Sequence, residues 1–334
     1  MSRGAEGGTG FPVPDAALDA ELRAGLEAVE ELLRSSVKSE YPFVTETSRH
    51  LLVAGGKRFR PLLVLLAAQF GDPHAPGIAP AAVVVELTHL ATLYHDDVMD
   101  EAVLRRGAQS ANSRWDNTVA ILTGDFLFAR ASDILADLGP ECVRIQARTF
   151  ERLVHGQIRE TVGPEDGENK VAHYMRVLSD KTGALIATSG RYGAMLSGAE
   201  TTVVEQVSRY CERIGIAFQL SDDLLDIAGE SDAFGKTPGT DLREGVHTLP
   251  VLRALNIDHP SRDRLRELLA GDQTDDDRHA ETLALLRAHP AMSEARADLR
   301  RCAEDAREAL QPLPQVHARA VFEALCDYVV DRTT

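Results

Sequence analysis

Cysteine is scarce in this chain. Of 334 residues only four are cysteine, and Cys142, Cys211, Cys302 and Cys326 lie far apart without a CxxC pair. Widely spaced cysteines of this kind are typical of buried thiols in a reducing compartment, not of a disulfide framework. We therefore expect a cytoplasmic protein.

Basic residues are also fewer than acidic ones. The chain has 36 Lys and Arg against 52 Asp and Glu, which gives a net charge of −16. Binding to nucleic acid requires a basic surface, because each phosphate carries a negative charge. We expect no nucleic-acid partner, and the acidic balance instead fits a protein that concentrates cations.

Long apolar runs are absent as well. The two most apolar stretches are Leu62–Ala68, which is short, and Ala79–Tyr94, which Glu86 and His89 interrupt. A membrane-spanning helix needs about 20 apolar residues, so we expect no transmembrane segment. The first residues are polar and Gly-rich without the apolar core of a signal peptide, and we predict that residues 1–14 are disordered.

Helix-forming residues dominate the rest of the sequence. Ala, Leu, Glu and Arg are abundant, and alternating β-branched runs are nearly missing. The longest predicted helices are Ala81–Asp100, Asn112–Leu138, Lys170–Ser197 and Thr202–Ala228, and Gly-containing loops separate them. We predict one all-α domain over residues 15–334, a large helical bundle with a central apolar cavity.

Two acidic clusters of the form DDxxD each end a long apolar helix, at Asp96–Asp100 and at Asp222–Asp226. The first and last aspartates of each cluster are four residues apart, so they share one helix face about 5.4 Å apart and repel each other. A single DDxxD is commonly a solvated helix end, whereas two copies in the same context indicate a shared function. Divalent magnesium removes the repulsion, takes one or two carboxylates and completes its shell with phosphate oxygens. We expect the clusters to face each other across the mouth of the bundle and to bind several Mg²⁺ ions through Asp96, Asp97, Asp100, Asp222, Asp223 and Asp226.

Basic residues flank both clusters. The segment Gly55–Pro61 reads GGKRFRP, Arg105-Arg106-Gly107 follows the first cluster, and Lys236 follows the second. Arg binds phosphate with a two-point fork, and Lys acts as a point charge. Each basic element alone could be a surface charge, but beside the acidic clusters they resemble the two halves of a diphosphate clamp. His89, two turns before Asp96, shares its helix face.

Together these motifs resemble the trans-isoprenyl diphosphate synthase family, also called polyprenyl synthetases. The family order is kept across some two hundred residues. The matching segments are Gly55–Pro61 (GGKRFRP), His95–Gly107 (HDDVMDEAVLRRG), Gly124–Phe126 (GDF), Gly156–Glu160 (GQIRE), Lys181–Gly183 (KTG), Phe218–Asp226 (FQLSDDLLD) and Gly235–Pro250 (GKTPGTDLREGVHTLP).

The resemblance implies the isoprenoid synthase fold and a magnesium-dependent prenyltransferase, which condenses isopentenyl diphosphate head to tail with an allylic diphosphate. It implies that Asp96, Asp100 and Asp222 coordinate the metals and that Asp97, Asp223 and Asp226 support them. It assigns isopentenyl diphosphate to Lys57, Arg60, His89 and Arg106. It assigns the allylic diphosphate to Arg105, Lys181 and Lys236, and places Thr182 and Gln219 beside the developing carbocation.

One departure from the family pattern concerns the allylic side. Where the family commonly has Glu-Gly-Lys, this chain has Glu244-Gly245-Val246, followed by His247. One expected cation is therefore missing, and His247 or Lys236 is a candidate to compensate.

Product length should depend on the side chains below the first cluster. Ala91 and Thr92 lie one turn below Asp96, Thr88 lies two turns below, and all three are small. With about 5.4 Å per turn, an open path of three turns leaves room for a product of roughly C30 to C50, the size of a quinone side chain.

Three alternatives remain. The first is a short-chain farnesyl or geranylgeranyl diphosphate synthase. The second is a class I terpene cyclase, which would lack the isopentenyl site that Lys57, Arg60 and His89 indicate. The third is a regulatory subunit of a heterodimeric synthase, which would tend to lose its acidic clusters. By resemblance, and because two-fold oligomers are common, we expect a homodimer.

Overall fold

The fold is helical throughout the computed structural model, which describes residues 13–229 and 238–333. The helices, in chain order, are α1 (Ala16–Ser36), α2 (Pro42–Val53), α3 (Phe59–Ala68), α4 (Ile78–Met99), α5 (Ala111–Arg114), α6 (Asn117–Leu138), α7 (Pro140–Val162), α8 (Lys170–Leu178), α9 (Ala184–Leu196), α10 (Thr201–Ala228), α11 (Thr240–Arg243), α12 (Leu249–Asn256), α13 (Arg262–Leu269), α14 (Asp276–Ala288), α15 (Ala291–Leu310) and α16 (His317–Asp331). Within the described ranges, the only strands are β1 (Leu104–Arg105) and β2 (Ala108–Gln109). The all-α prediction is confirmed.

Side-chain caps fix where several helices begin. Asp15 accepts the backbone N–H of Leu18 at 2.8 Å, and Asp116 accepts that of Val119 at 2.8 Å. Such an N-cap contributes about 1 kcal/mol. Asp116 also explains a difference from the sequence prediction. The helix expected from Asn112 is divided into α5 and α6, because the cap starts a new helix at Asn117.

The described chain forms two compact units. The first contains the residues up to Glu151 together with Leu185–Cys211 and Pro312–Phe322. The second contains the described residues of Arg152–Ala184 and Glu212–Gln311 and those from Glu323 onward. Residues 1–12, for which disorder is predicted, lie outside the described residues.

The first unit is built around α4. Thirteen of the residues of α4 are buried, and they include Val83, Val84, Leu87 and Leu90. A helix that is apolar on nearly all sides belongs in a core, and α4 packs against α1, α3 and α6. The acidic cluster at its end is therefore anchored by a largely buried helix.

The second unit packs α12 against α15, α13 and α8. The predicted helix from Lys170 to Ser197 is continuous in the chain, but its winding changes. Between α8 and α9, residues Ser179–Gly183 form a π-helical turn. Such turns are rare and are frequently found at functional sites.

None of the helices in the described ranges combines the length and the apolarity that crossing a bilayer requires.

Helix α9 packs so closely on α3 that residue 193 has to be glycine, which can be tested. A Cβ at this position would lie 2.9 Å from the carbonyl carbon of Val64 and 2.8 Å from the Ala67 Cβ. Because the clash involves backbone, Gly193→Ala should lower the free energy of unfolding by about 1–3 kcal/mol, the usual cost of overpacking. Urea unfolding measures this.

The matched control is Gly25→Ala in α1, where the added Cβ would meet only the end of the Leu65 side chain, at 3.0–3.3 Å. Its effect should be clearly smaller. Equal losses in the two variants would contradict the close contact at Gly193.

Candidate active site

The first acidic cluster lies where α4 ends. Helix α4 ends at Met99, and Asp100 caps it with its N–H 2.8 Å from the Asp96 carbonyl oxygen. The three aspartates differ in exposure: Asp96 is half-buried, Asp97 is 0% exposed and Asp100 is exposed. Burial raises the pKa of Asp97, and hydrogen bonding to Arg105 opposes this.

Arg105 is the counter-ion of this cluster. Its Nε donates to Asp97 Oδ1 at 2.5 Å, and its Nη2 lies 3.8 Å from Asp100 Oδ2. The other oxygen of Asp97, Oδ2, is buried and has no donor among the described residues. A buried acceptor without a partner is costly, so this oxygen is suited to a ligand that supplies positive charge.

A tight hairpin presents the two arginines that follow the cluster. Strands β1 and β2 pair Leu104 with Gln109 and Arg105 with Ala108. The two turn residues, Arg106 and Gly107, have φ values of +55° and +76°. Positive φ at both central positions is typical of a two-residue type I′ hairpin turn, so the RRG sequence fixes the direction in which both arginines leave the backbone.

Arg106 reaches back to the glycine pair of the GGKRFRP segment. Its Nη1 donates to the Gly55 carbonyl oxygen and, at 3.2 Å, to that of Leu51. Gly56 has φ +148°, and a Cβ there would lie 2.9 Å from Arg106 Nη1. Glycine is needed at this position both for the backbone conformation and for the close approach of the guanidinium.

Arg58 and Glu86 form the structural base of a basic cluster. Arg58 has φ +47°. Its Nη1 donates to Glu86 at 2.9 Å and its Nε to Glu30 at 2.9 Å. Glu86 is only 2% exposed, and a buried carboxylate requires such a partner. Glu86 was considered above only as an interruption of an apolar run, yet a lone acid in such a run is itself a signal of a buried ion pair.

The remaining cations of this cluster have fewer partners. Burial lowers the pKa of Arg60 to about 10, with Glu86 opposing the shift and Arg106 adding to it. Burial also holds the pKa of His89 well below its usual value, and Arg60 and Arg106 lower it further. His89 Nε2 lies 3.5 Å from Arg106 Nη2. Arg60 Nε is buried without an acceptor among the described residues. The cluster is suited to an anion that has several oxygens.

The residues of the predicted product wall lie on the same helix. Ala91 and Thr88 are fully buried, and Thr92 is half-buried. The Thr88 hydroxyl donates to the Val84 carbonyl oxygen and accepts from Gln146 Nε2, both at 2.8 Å. Of the three positions, Thr92 is the one with accessible surface.

The second unit carries the second acidic cluster at the end of α10. Asp222 is exposed and forms an ion pair with Arg332, which directly follows α16. Asp223 is buried; it accepts a hydrogen bond from the Tyr174 hydroxyl and one of 3.1 Å from Gln219 Nε2. Burial, followed by the neighbouring Asp241 and Asp226, raises the pKa of Asp223 well above its usual value.

Asp226 organises the segment that follows the cluster. Its carboxylate accepts the backbone N–H groups of Thr240 at 3.0 Å and Asp241 at 3.2 Å, at the start of α11. Val246, which replaces the family's lysine, is 40% exposed. Lys236 lies outside the described residues.

The π-helical turn holds the KTG residues, including Lys181 and Thr182. Lys181 forms an ion pair with Glu160 of α7. A Cβ on Gly156 would lie 2.6 Å from the Lys181 backbone nitrogen, so glycine in the GQIRE motif allows α7 to contact the turn. Arg152 donates to Asp180 at 3.0 Å and fixes the turn from the same helix.

The predicted site residues thus form two groups, one in each unit. The first unit holds Lys57, Arg60, His89, Asp96, Asp97, Asp100, Arg105 and Arg106. The second holds Lys181, Thr182, Gln219, Asp222, Asp223 and Asp226. Sequence interpretation missed the contacts of Tyr174, Glu160 and Arg332. Their partners are 49, 21 and 110 residues away, and no local pattern indicates pairs at such separations.

The donor atoms fit a hard divalent cation. Each cluster offers carboxylate oxygens, which Mg²⁺ and Ca²⁺ prefer, and the buried Asp97 Oδ2 lacks a partner. Within the described ranges, no three His, Cys, Asp or Glu side chains are already arranged around one cation position. One or two carboxylates is the number that magnesium commonly takes from protein when phosphate oxygens complete its shell.

Comparison with known proteins decides the family. The family model described as polyprenyl synthetase matches residues 41–286. The chain belongs to the polyprenyl synthetase family. It is 50% identical over 324 residues to the nonaprenyl diphosphate synthase of Mycobacterium tuberculosis, which covers 97% of each chain.

Solved structures of polyprenyl synthetases agree. A geranylgeranyl pyrophosphate synthase from Corynebacterium glutamicum, complexed with calcium and isoprenyl diphosphate, is 43% identical with a TM-score of 0.88 and covers 97% of this chain and 99% of its own. A decaprenyl diphosphate synthase from Rhodobacter capsulatus is 35% identical with a TM-score of 0.86 and covers 95% and 99%. The predicted isoprenoid synthase fold is confirmed, and the polyprenyl synthetase described here is a prenyltransferase of a family that uses divalent metal ions.

The environment of His89 predicts a pH-dependent stability. Because its folded pKa is depressed, the unfolded chain binds a proton below about pH 6.5 that the folded cluster does not accept. Stability should therefore fall as pH decreases through this range, by at most about 1.4 kcal/mol per pH unit for this group. In His89→Gln this contribution is absent, so the variant should gain stability relative to the parent protein between pH 7.5 and 5.5.

Urea unfolding at several pH values measures this difference. His74→Gln, at an exposed loop position, is the control and should follow the parent protein at every pH. A constant difference between His89→Gln and the parent would show that the cluster accepts the proton.

Proposed function

We propose that this protein is an all-trans-polyprenyl diphosphate synthase that adds isopentenyl diphosphate repeatedly to an allylic diphosphate. The observation that carries the proposal is the basic cluster in the unit that also holds the first acidic cluster. Arg60 and Arg106 there have only part of their charge offset by Glu86, and Arg60 Nε is unpartnered among the described residues. A terpene cyclase needs no such second anion site, because it binds a single diphosphate.

The metal of the proposed reaction is Mg²⁺, several ions per site, held by Asp96, Asp100 and Asp222, with Asp97, Asp223 and Asp226 in support. The exposed and half-buried aspartates are accessible to ligands, whereas Asp97 and Asp223 are buried and hydrogen-bonded. The bound ions would neutralise the charge that develops on the leaving diphosphate. A related synthase is complexed with calcium and isoprenyl diphosphate, which supports a divalent cation as the metal.

The protein's own groups position the reactants. Arg60, His89 and Arg106, with the exposed Lys57, hold isopentenyl diphosphate so that its double bond meets the allylic carbon, and such fixed orientation lowers the barrier. His89, neutral at pH 7 because of its depressed pKa, contributes a hydrogen bond and no further charge.

On the allylic side, Arg105, Lys181 and Lys236 grip the departing diphosphate. Gln219 donates its amide N–H to Asp223, which leaves its carbonyl oxygen to face the allylic cation together with the Thr182 hydroxyl. The released diphosphate takes the final proton. We propose that residues 15–334 form one catalytic domain.

The proposed product is of medium to long chain, roughly C30 to C50, on the basis of about 5.4 Å per helical turn and small residues one and two turns below Asp96. The nonaprenyl and decaprenyl synthases among the relatives support this length. Because one relative is named as a geranylgeranyl pyrophosphate synthase, a short-chain product is the alternative.

We propose that the protein is a cytoplasmic homodimer. The first unit exposes the apolar side chains of Ile121, Leu122, Val143 and Phe150, and Phe150 of α7 contacts Phe128 of α6 with 4.6 Å between ring centroids. Contiguous exposed apolar side chains commonly mark a protein interface. All four cysteines are buried thiols, as in proteins of a reducing compartment.

The function is tested with purified protein, Mg²⁺, labelled isopentenyl diphosphate and allylic primers of five, ten, fifteen or twenty carbons. Chromatography of the dephosphorylated products should show chains of roughly C30 to C50, as the open helical turns predict. Arg60→Met should raise the KM for isopentenyl diphosphate by roughly 10-fold or more, because a charged hydrogen bond contributes about 1.5–3 kcal/mol. Incorporation that is absent with every primer would refute the proposal.

Product length is tested at the helix turn below Asp96. Thr92→Phe places an aromatic ring at the accessible position of the wall and should shorten the main product by several isoprene units. Ala91→Phe should do the same where the protein tolerates the added volume, since overpacking a buried site costs about 1–3 kcal/mol. Thr92→Val is the matched control, because it keeps the shape of threonine, and it should leave the length unchanged. An unaltered product in both Phe variants would place the floor elsewhere.

A further inference from the structure

The last helix, α16, brings an arginine to the second acidic cluster. Arg332 follows the end of α16 at Asp331, and its Nη2 donates to Asp222 Oδ1. The two residues are 110 positions apart in the sequence, and both belong to the second unit. None of the roles proposed above involves Arg332.

Arg332 is held firmly, whereas Asp222 is not. The side chain of Arg332 is 16% exposed and that of Asp222 is 53% exposed. The guanidinium carbon lies 5.2 Å from the Phe218 ring and 5.9 Å from the Tyr328 ring, within the range of cation–π attraction. Arg296 Nε donates to the carbonyl oxygen of Thr333 at 3.0 Å and fixes the backbone just beyond it.

The pair leaves half of the carboxylate available. One nitrogen of Arg332 engages one oxygen of Asp222, and no donor among the described residues engages the other oxygen, Oδ2. In metal sites, a residue that is hydrogen-bonded to a metal-coordinating side chain fixes the orientation of that side chain. Loss of such a residue weakens metal binding about 10–100-fold. Arg332 and Asp222 have this arrangement, since a fixed guanidinium is bonded to one oxygen of an exposed carboxylate.

We infer that Arg332 is a positioning residue, which holds Asp222 through Oδ1 and directs Oδ2 to the divalent cation. The inference rests on the proposed function, because it takes Asp222 as a metal ligand. The alternative role of Arg332 is competition, in which its guanidinium occupies the position of the metal and must be displaced before the metal binds. The two differ in sign: a positioning arginine strengthens metal binding, and a competing one weakens it.

The experiment measures Mg²⁺ binding without turnover. The full-length protein is saturated with the unreactive analogue geranyl thiolodiphosphate, and the half-saturating Mg²⁺ concentration is read from the shift in melting temperature. In Arg332→Met this concentration should rise about 10-fold, the lower end of the range for such supporting residues. Arg332→Lys should recover part of the loss, and kcat at saturating Mg²⁺ should change much less than the Mg²⁺ requirement.

Arg307→Met is the matched control. Arg307 of α15 pairs with Asp327 of α16, so this variant also removes an ion pair of the C-terminal region but leaves Asp222 untouched. Its Mg²⁺ requirement should equal that of the parent protein. Comparison of the two melting temperatures without ligand separates lost stability from lost metal binding, and Arg332→Lys serves if Arg332→Met does not fold.

Asp222→Asn completes a double-mutant cycle. If Arg332 acts through Asp222, Arg332→Met should add nothing in the Asp222→Asn background. A lower or unchanged Mg²⁺ requirement in Arg332→Met, or an equal additional loss in the Asp222→Asn background, overturns the inference. If Asp222→Asn alone leaves the Mg²⁺ requirement unchanged, the metal assignment of the proposed function fails instead.

Discussion

The ion pair between Glu86 and Arg58 supports the arrangement of the site residues in the first unit. Glu86 lies in the buried helix α4 at 2% exposure, 2.9 Å from Arg58, and it is the main negative charge that opposes the lowered pKa values of Arg60 and Arg106. Glu86 and Glu30 together carry two negative charges, which cannot neutralise the three guanidinium groups of Arg58, Arg60 and Arg106. The basic cluster therefore keeps positive charge in excess, which an anionic ligand can reduce. Removing one member of a buried pair costs about 3–5 kcal/mol, so the base of the cluster is also a stability element.

Backbone strain concentrates at the same place. In the described residues, only Arg58, Glu101 and Arg106 are non-glycine residues with clearly positive φ, and all three flank the basic or the acidic cluster of the first unit. Each such conformation costs of order 1–3 kcal/mol and persists only where its surroundings enforce it. Here the enforcing contacts are those that Arg58 makes with its two glutamates and Arg106 with the Gly55 carbonyl. The same side chains that build the site therefore also stabilise the unusual backbone that presents them.

The sequence was sufficient for the features that repeat locally. The apolar run of α4, the length of α10 and the DDxxD spacing follow from helical periodicity, and the order of motifs indicated the family. Three features could not be predicted in this way: the division at Asp116, the π-helical turn at Ser179–Gly183 and the type I′ hairpin. They depend on caps and backbone angles, and similar sequences also form plain helices or loops. The pairs of Tyr174 and Arg332 with the second cluster were beyond prediction, because a single sequence does not show which distant side chains meet.

Charge compensation also bears on how a metal and a diphosphate enter the proposed site. Without ligand, Arg105 is paired with Asp97 and Lys181 with Glu160, so two of the cations proposed to bind diphosphate already have carboxylate partners. A diphosphate that binds alone would draw these cations away and leave their carboxylate partners uncompensated. A metal that binds alone would draw the carboxylates away and leave the cations uncompensated. When both bind, Asp97 would exchange Arg105 for metal while Arg105 and Lys181 exchange carboxylate for phosphate, so less charge is left uncompensated than with either ligand alone. Because an uncompensated charge in a partly buried site is costly, metal and diphosphate should bind with strong mutual dependence, and by linkage each raises the affinity for the other by the same factor.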